Sequence, residues 1–342
     1  MAFYRNLTTE DRIEDVSVVT SGVFQDGAGS ITSFFTSSTQ YTNTGDYSVD
    51  VYRYDPSGNA SASVQFGIAY GNANGSGSLG TVGATGDRAS AAVFGQFNSL
   101  INPPKTTTFT FGPNQDEETI YALSFNRARI REELEPGGWE LHLSNGSGKL
   151  IKLIDDSTAT RGGNTNQRNF APEYNIVSGS HVGGTIIKTA AASEDSTMGS
   201  YGTFYPGIGT LILNPKRLSG APFALVSLSG SNSDDRNQRK LFNTLVTGEY
   251  FQAKRQEQIT SRHYFVRATA AQFNATTNET FYTESISGIK TVIPSLRSDP
   301  KTFITSVGLY NDSNELLAVA KLSQPILKSK SREALIKVKL DF

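Results

Sequence analysis

The sequence has no cysteine. Disulfide bridges, thiolate metal sites and cysteine nucleophiles are excluded together, and stability must come from packing and backbone hydrogen bonding. Histidine is nearly as scarce: His142, His181 and His263 lie in three separate segments. None stands in an H-x-x-x-H or H-E-x-x-H spacing that would bring two imidazoles to one metal. Each reads as a surface or hydrogen-bonding histidine, and no metal and no cofactor is expected. Charged residues make up 18% of the chain, against about 25% in an average domain. With a formal net charge of −1 there is no field to collect nucleic acid or anionic lipid. No segment approaches the ~18 uninterrupted apolar residues of a membrane span. The stretch Met1–Asp11 has neither the basic start nor the apolar centre of a secretion signal. A soluble protein, made in the cytoplasm, is expected.

What the chain has in quantity is glycine, 32 residues in 342, with frequent Ser, Thr and Asn. Short strands joined by tight turns suit this composition better than charged helical bundles. At roughly 150 residues per domain the length allows two to three domains. Charge is divided unevenly. Arg236–Phe342 carries 16 basic and 9 acidic residues, whereas the preceding 235 carry 15 and 23. A basic C-terminal third follows an acidic remainder.

Period-two runs around Asp55-Pro-Ser-Gly-Asn59 predict a hairpin of Tyr47–Val51 with Ala62–Tyr70. The glycine-rich stretch 71–86 is too poor in large apolar groups to bury itself and reads as an exposed, mobile loop. Asp87 can cap a helix whose Val93, Phe94, Phe97, Leu100 and Ile101 form one stripe before Pro103-Pro104. Further on, Arg127–Glu135 reads as a short helix with Ile130 and Leu134 inward, ended by Pro136-Gly137-Gly138. Trp139–Ser144 and Leu150–Ile154 make a hairpin about Asn145-Gly146. Ser233 or Asp235 caps a helix carrying Leu241, Phe242, Leu245 and Val246 up to Gly248. Tyr250–Ala268 is polar on both alternating faces and reads as an arm or an edge strand. Thr302–Tyr310 and Glu315–Leu322 form another hairpin, and the last strand alternates Ile336, Val338, Leu340 and Phe342 with Lys337, Lys339 and Asp341.

The expected fold is mainly β with a few short helices (α+β), in two to three antiparallel β-sandwich or barrel-like domains. The boundaries read as 1–112, 113–232 and 233–342. No fixed-period repeat occurs, which disfavours solenoids and propellers.

Motifs for chemistry are sparse. Gly75-x-Gly77-x-x-Gly80 matches a pyrophosphate-binding turn, but its neighbours form a hairpin and no helix opens directly after it. No G-x-S-x-G nucleophile elbow occurs. Asp116-Glu117-Glu118, Glu132-Glu133-Glu135 and Asp155-Asp156 would supply paired carboxylates for sugar hydrolysis or cation binding, but as neighbours at turns they read as solvated groups. The chain is therefore expected not to be an enzyme, with no catalytic residue assigned. The candidate site is a subunit interface. Arg127, Arg129 and Arg131 lie among acidic residues, and Lys254, Arg255, Arg262 and Arg267 are interleaved with Phe251, Tyr264 and Phe265. Such a mixture suits contact between subunits better than nucleic acid.

Several of these segments carry a resemblance. They are Ser261–Arg267, Thr302–Asp312, Glu315–Pro325 and Ala334–Phe342, and upstream Arg127–Trp139, Gly202–Pro206, Gly209–Asn214, Phe66–Tyr70 and Gly75–Ser78. Together they resemble a family of virion structural proteins from contractile-tailed, T-even-like bacteriophages that infect cyanobacteria. The resemblance implies a non-enzymatic tail component, baseplate-associated, located in the virion and present in several copies. Its partners would be other copies of itself and other phage tail proteins, with no nucleic acid and no membrane insertion. Alternatives are a neck or collar component, or a fibre-attachment protein whose Phe273–Ser287 region touches host glycans.

Overall fold

The computed structural model describes residues 5–42, 48–75, 89–112, 115–157, 172–182, 185–188, 200–220, 224–229 and 236–342. Most of the loop expected at 71–86 and the caps expected at Asp87, Ser233 and Asp235 lie outside these. The fold is mainly β, built of antiparallel sheets with six short helices among the described residues.

In chain order the first strands are β1 (Arg12–Gly22), β2 (Ser30–Ile31), β3 (Ser48–Tyr52), β4 (Val64–Asn72), β5 (Phe109–Thr110), β6 (Asp116–Glu117) and β7 (Thr119–Phe125). Then come β8 (Glu133–Leu134), β9 (Glu140–Ser144), β10 (Leu150–Asp155), β11 (Tyr174–Val182), β12 (Thr185–Lys188), β13 (Gly202–Tyr205), β14 (Thr210–Leu213) and β15 (Phe251–Gln252). Last are β16 (Lys254–Ala268), β17 (Tyr282–Glu284), β18 (Lys290–Val292), β19 (Lys301–Tyr310), β20 (Leu316–Ser329) and β21 (Ala334–Asp341). The helices are α1 (Ser38–Thr42), α2 (Ser90–Ile101), α3 (Arg127–Ile130), α4 (Pro215–Ser219), α5 (Asn237–Gly248) and α6 (Pro294–Ser298).

Two compact units emerge: Val19–Glu257, and Met1–Val18 with Gln258–Phe342. These bounds differ from the expected 112/113 and 232/233. Cutting at 112/113 would separate β4 from β7, which pair over seven positions from Phe66↔Phe125 to Asn72↔Thr119.

The larger unit is organised by an eleven-stranded antiparallel sheet in the order β2-β15-β9-β10-β11-β13-β14-β7-β4-β3, with β12 added to β11, curled into a half-barrel. In β7, Tyr121, Leu123 and Phe125 join one buried cluster while Ile120 and Ala122 join another. Both faces are covered, which is why the strand reads as a continuous apolar run. Helix α2 covers one face with Phe94 and Ile101, although Leu100 is exposed because the stripe is narrower than its sequence suggests. On the other face α5 packs against β9 and also against β3 and β4, burying Leu241, Phe242 and Leu245 and leaving Val246 exposed. Phe66 of β4 and Phe251 of β15 meet edge to face at 5.3 Å. Strands far apart in the sheet order thus close over one core.

Helix α3 is shorter than expected. Asn126 caps it by accepting from the Ala128 N–H at 3.1 Å, and Arg131 ends it at φ 54°. Leu134 is buried, but from strand β8.

In the smaller unit, β16 pairs with β21 from Ser261↔Asp341 to Ala268↔Ala334 and has β1 on its other side. It is a central strand, not the expected arm or edge. Some of its polar side chains find partners there: Ser261 Oγ donates to Asp341 at 2.7 Å. β19 and β20 form the expected hairpin, β17 and β18 a smaller one.

Candidate interaction surface

Within the smaller unit, the β16–β21 register sorts side chains onto two faces. Tyr264↔Val338, Val266↔Ile336 and Ala268↔Ala334 share one, and His263↔Lys339, Phe265↔Lys337 and Arg267↔Leu335 the other. The apolar face joins Ile304, Val307, Leu309, Ala318 and Ala320 of the β19–β20 hairpin in one cluster. Of that cluster's large side chains only Leu309, Ile336 and Val338 are buried, with Ala268 and Ala334 buried beside them. A groove of about 1150 Å³ lies open there, lined among others by Leu7, Tyr264, Val266, Leu309 and Leu340.

Lys328, wholly buried, holds the adjoining loop. Its Nζ donates to the carbonyls of Ala270 and Ser329 at 3.1 and 2.8 Å and to Asn274 Oδ1 at 3.1 Å. Three acceptors match the three donors of an ammonium group.

Apolar side chains also stay at the surface. Ile13, Val16 and Val18 on β1, Leu317 and Val319 on β20, Leu335 on β21 and Phe342 are each more than half exposed. On the hairpin, a Cβ at Gly308 would lie 2.9 Å from the Tyr310 ring and 3.3 Å from Leu316. The missing side chain leaves room for the ring and the leucine, both exposed, beside the strand.

The cationic residues picked out in the sequence are divided between the two units. In the larger unit Arg127 donates to the Gly207 carbonyl at 2.9 Å, and Arg129 to the Val64 carbonyl at 2.9 Å. Burial pushes the Arg129 guanidinium down from its ordinary pKa. Arg255 donates to Ser21 Oγ and to the Arg129 carbonyl, both at 2.9 Å. Arg131 reaches Glu257 at 3.0 Å from an exposed position, and Lys254 is exposed. In the smaller unit Arg262 meets Glu14 at 3.0 Å and lies over the Phe342 ring. Arg267 meets Glu333 at 2.7 Å. The Arg267 hydrogen bond and then the Ala270 N–H hold Glu333 below the usual carboxylate range. Arg129 and Arg255 are thus internal ties, while Lys254, Arg131, Arg262 and Arg267 reach the surface.

Of the acidic and histidine groups, Asp155, Glu140, His142 and His181 are built into the large sheet, on β10, β9 and β11. Asp155 is fully buried. It accepts from Gly137 N–H at 3.0 and 2.8 Å and from Ser157 N–H at 3.0 Å. Burial raises its pKa against those hydrogen bonds. Glu135 is likewise raised by burial, opposed by Lys254. The nearly buried Glu140 binds His142 Nε2 at 2.6 Å and accepts the His181 N–H at 2.6 Å. Sequence reasoning placed His142 on a polar hairpin face and missed this carboxylate. Its signal was an acid directly after Trp139, at the first of the polar positions that alternate with Leu141 and Leu143. No group of three metal-binding side chains occurs among the described residues.

Comparisons with protein-family models, curated proteins and solved structures find no match to the chain.

Proposed function

We propose that the chain is a non-enzymatic structural component of a bacteriophage contractile tail, baseplate-associated, assembling in several copies through strand and loop contacts. One observation carries the assembly reading. Apolar side chains on β1, β20 and β21 and at Phe342 stay at the surface of a unit that buries only Leu309, Ile336 and Val338 of its main apolar cluster. Contiguous exposed apolar surface marks interaction sites, and these side chains support that reading. The resemblance of the C-terminal segments to virion structural proteins supplies the setting.

Immunogold labelling of intact particles tests the placement. Label at the tail tip is expected, label at the neck would move the protein to the collar, and label on the capsid shell alone would overturn the proposal. Ile286, wholly exposed between β17 and β18, favours a second reading, a fibre-attachment or receptor-contacting role. Retention of the purified protein on host cells supports that reading, and absence of retention removes it.

A further inference from the structure

The sheet of the smaller unit runs β1-β16-β21. β1 and β21 therefore each keep one backbone edge with no strand beside it among the described residues. An open row of N–H and C=O groups templates another strand, and proteins usually blunt such an edge with lysine or proline. β1 contains neither, whereas β21 carries Lys337 and Lys339, which discourage any added strand that does not bring acidic groups to them. On β1, Ile13, Val16 and Val18 are more than half exposed, and Val16-Ser17-Val18 carries no charge.

The two edges differ in charge. Glu14 meets Arg262 at 3.0 Å, and Arg262 pairs across the sheet with Leu340. Alternation then places Asp15 on the opposite face, which Lys337 and Lys339 share on β21. Asp15 has no ion-pair partner among the described residues. Lys337 lies 5.8 Å from the Phe265 ring centroid and meets no carboxylate among them, while Lys339 meets Asp341 of its own strand at 3.0 Å from an exposed position.

We propose that β1 of one copy adds to β21 of a second copy, head to tail, continuing the sheet and setting Asp15 against Lys337 and Lys339 of the neighbour. The occupant is a second copy because the acidic open edge and the basic open edge end the same three-strand path. Main-chain pairing gives the attachment, and the charges choose the edge. A contact between two different edges repeats from copy to copy, closing a ring or extending a row. This inference rests on the assembly reading and specifies its contact.

The absence of cysteine makes a direct test available. The full-length variants Asp15→Cys and Lys337→Cys, and separately Asp15→Cys and Lys339→Cys, are mixed and oxidised, one partner carrying an affinity tag so that mixed dimers are resolved by mass. A mixed disulfide exceeding both homodimers is the expected result in at least one pairing. Homodimers alone would overturn the head-to-tail contact. No disulfide, with sedimentation still showing oligomers, would sink the edge pairing and leave the assembly reading standing. A monomer at every concentration would end both. As a second measurement, Lys337→Glu with Lys339→Glu raises the concentration at half-assembly about tenfold, and Asp15→Lys in the same chain restores it. Unchanged self-association in the charge-reversed variant would also overturn the proposal.

Discussion

The Glu140 carboxylate accepts the backbone N–H of His181 at 2.6 Å across 41 residues. β11 pairs with β10 only from Ile176 to Ser178, and from Gly179 onward its partner is β12. The β11–β12 arm thus leaves β10, and Glu140 ties its backbone to β9. Replacing Glu140 by Leu strands two donors, and is expected to cost about 1–3 kcal/mol. The measurement is urea unfolding with amide exchange at His181. Undiminished protection of that amide would show the carboxylate to be dispensable.

Asp155 sets an unusual pH dependence. Burial raises its folded pKa above the unfolded value, so the folded state holds its proton to higher pH. Its stability contribution is most favourable below the unfolded value and is lost as pH rises through the folded one. Glu135, also raised by burial, acts in the same sense. The stability difference between the native protein and Asp155→Asn should therefore move in favour of the native protein as pH falls from neutral towards the unfolded carboxylate pKa. Urea midpoints across that range measure it, and a difference moving the other way would refute the assignment.

At Gly248 the last turn of α5 lies against β9: an added Cβ would fall 2.2 Å from the His142 carbonyl oxygen. Backbone cannot yield there as a flexible side chain would, so Gly248→Ala is expected to destabilise by about 1–3 kcal/mol. Gly95, inside α2, has nothing within 4 Å of such a Cβ. Gly95→Ala should stabilise by about 0.4–1 kcal/mol through the unfolded chain. Thermal unfolding of the pair gives both signs, and equal effects would contradict the close approach.

Arg255 and Arg131 look alike in sequence and differ in role. Arg255, largely buried, ties Ser21 and the Arg129 carbonyl together, whereas Arg131 makes a surface ion pair with Glu257. Arg255→Ala is expected to cost about 1–3 kcal/mol by leaving partners unsatisfied, and Arg131→Ala less than about 1 kcal/mol. Denaturant titration separates them, and a larger loss at Arg131 would reverse the distinction.

Hairpins were legible because their turns are local. Asp55–Asn59, Asn145-Gly146 and Asn311–Asn314 each sit between alternating runs, and each joins paired strands. α2 and α5 were legible from their stripes, with Leu100 and Val246 mistaken for core because a stripe does not state how far its cover extends. The candidate interface was legible only as a list of cations. Arg129 and Arg255 turn inward because carbonyls from Val64 and Arg129 happen to converge on them. Glu140 escaped notice as a tie between strands because the amide it holds, that of His181, lies 41 residues away.

The amino-acid order by itself determined the mainly β character, the turn positions, the absence of any covalent staple and the two-sided patterning of the final strands. These follow from period, turn chemistry and composition, each a property of a few neighbouring residues. Tertiary structure alone decided that Lys254–Ala268 becomes a central strand, that the chain divides at 18/19 and 257/258, and that β1 and β21 end their sheet path. Burial and strand neighbours depend on what distant segments bring alongside, and a local pattern states only which side chains share a face.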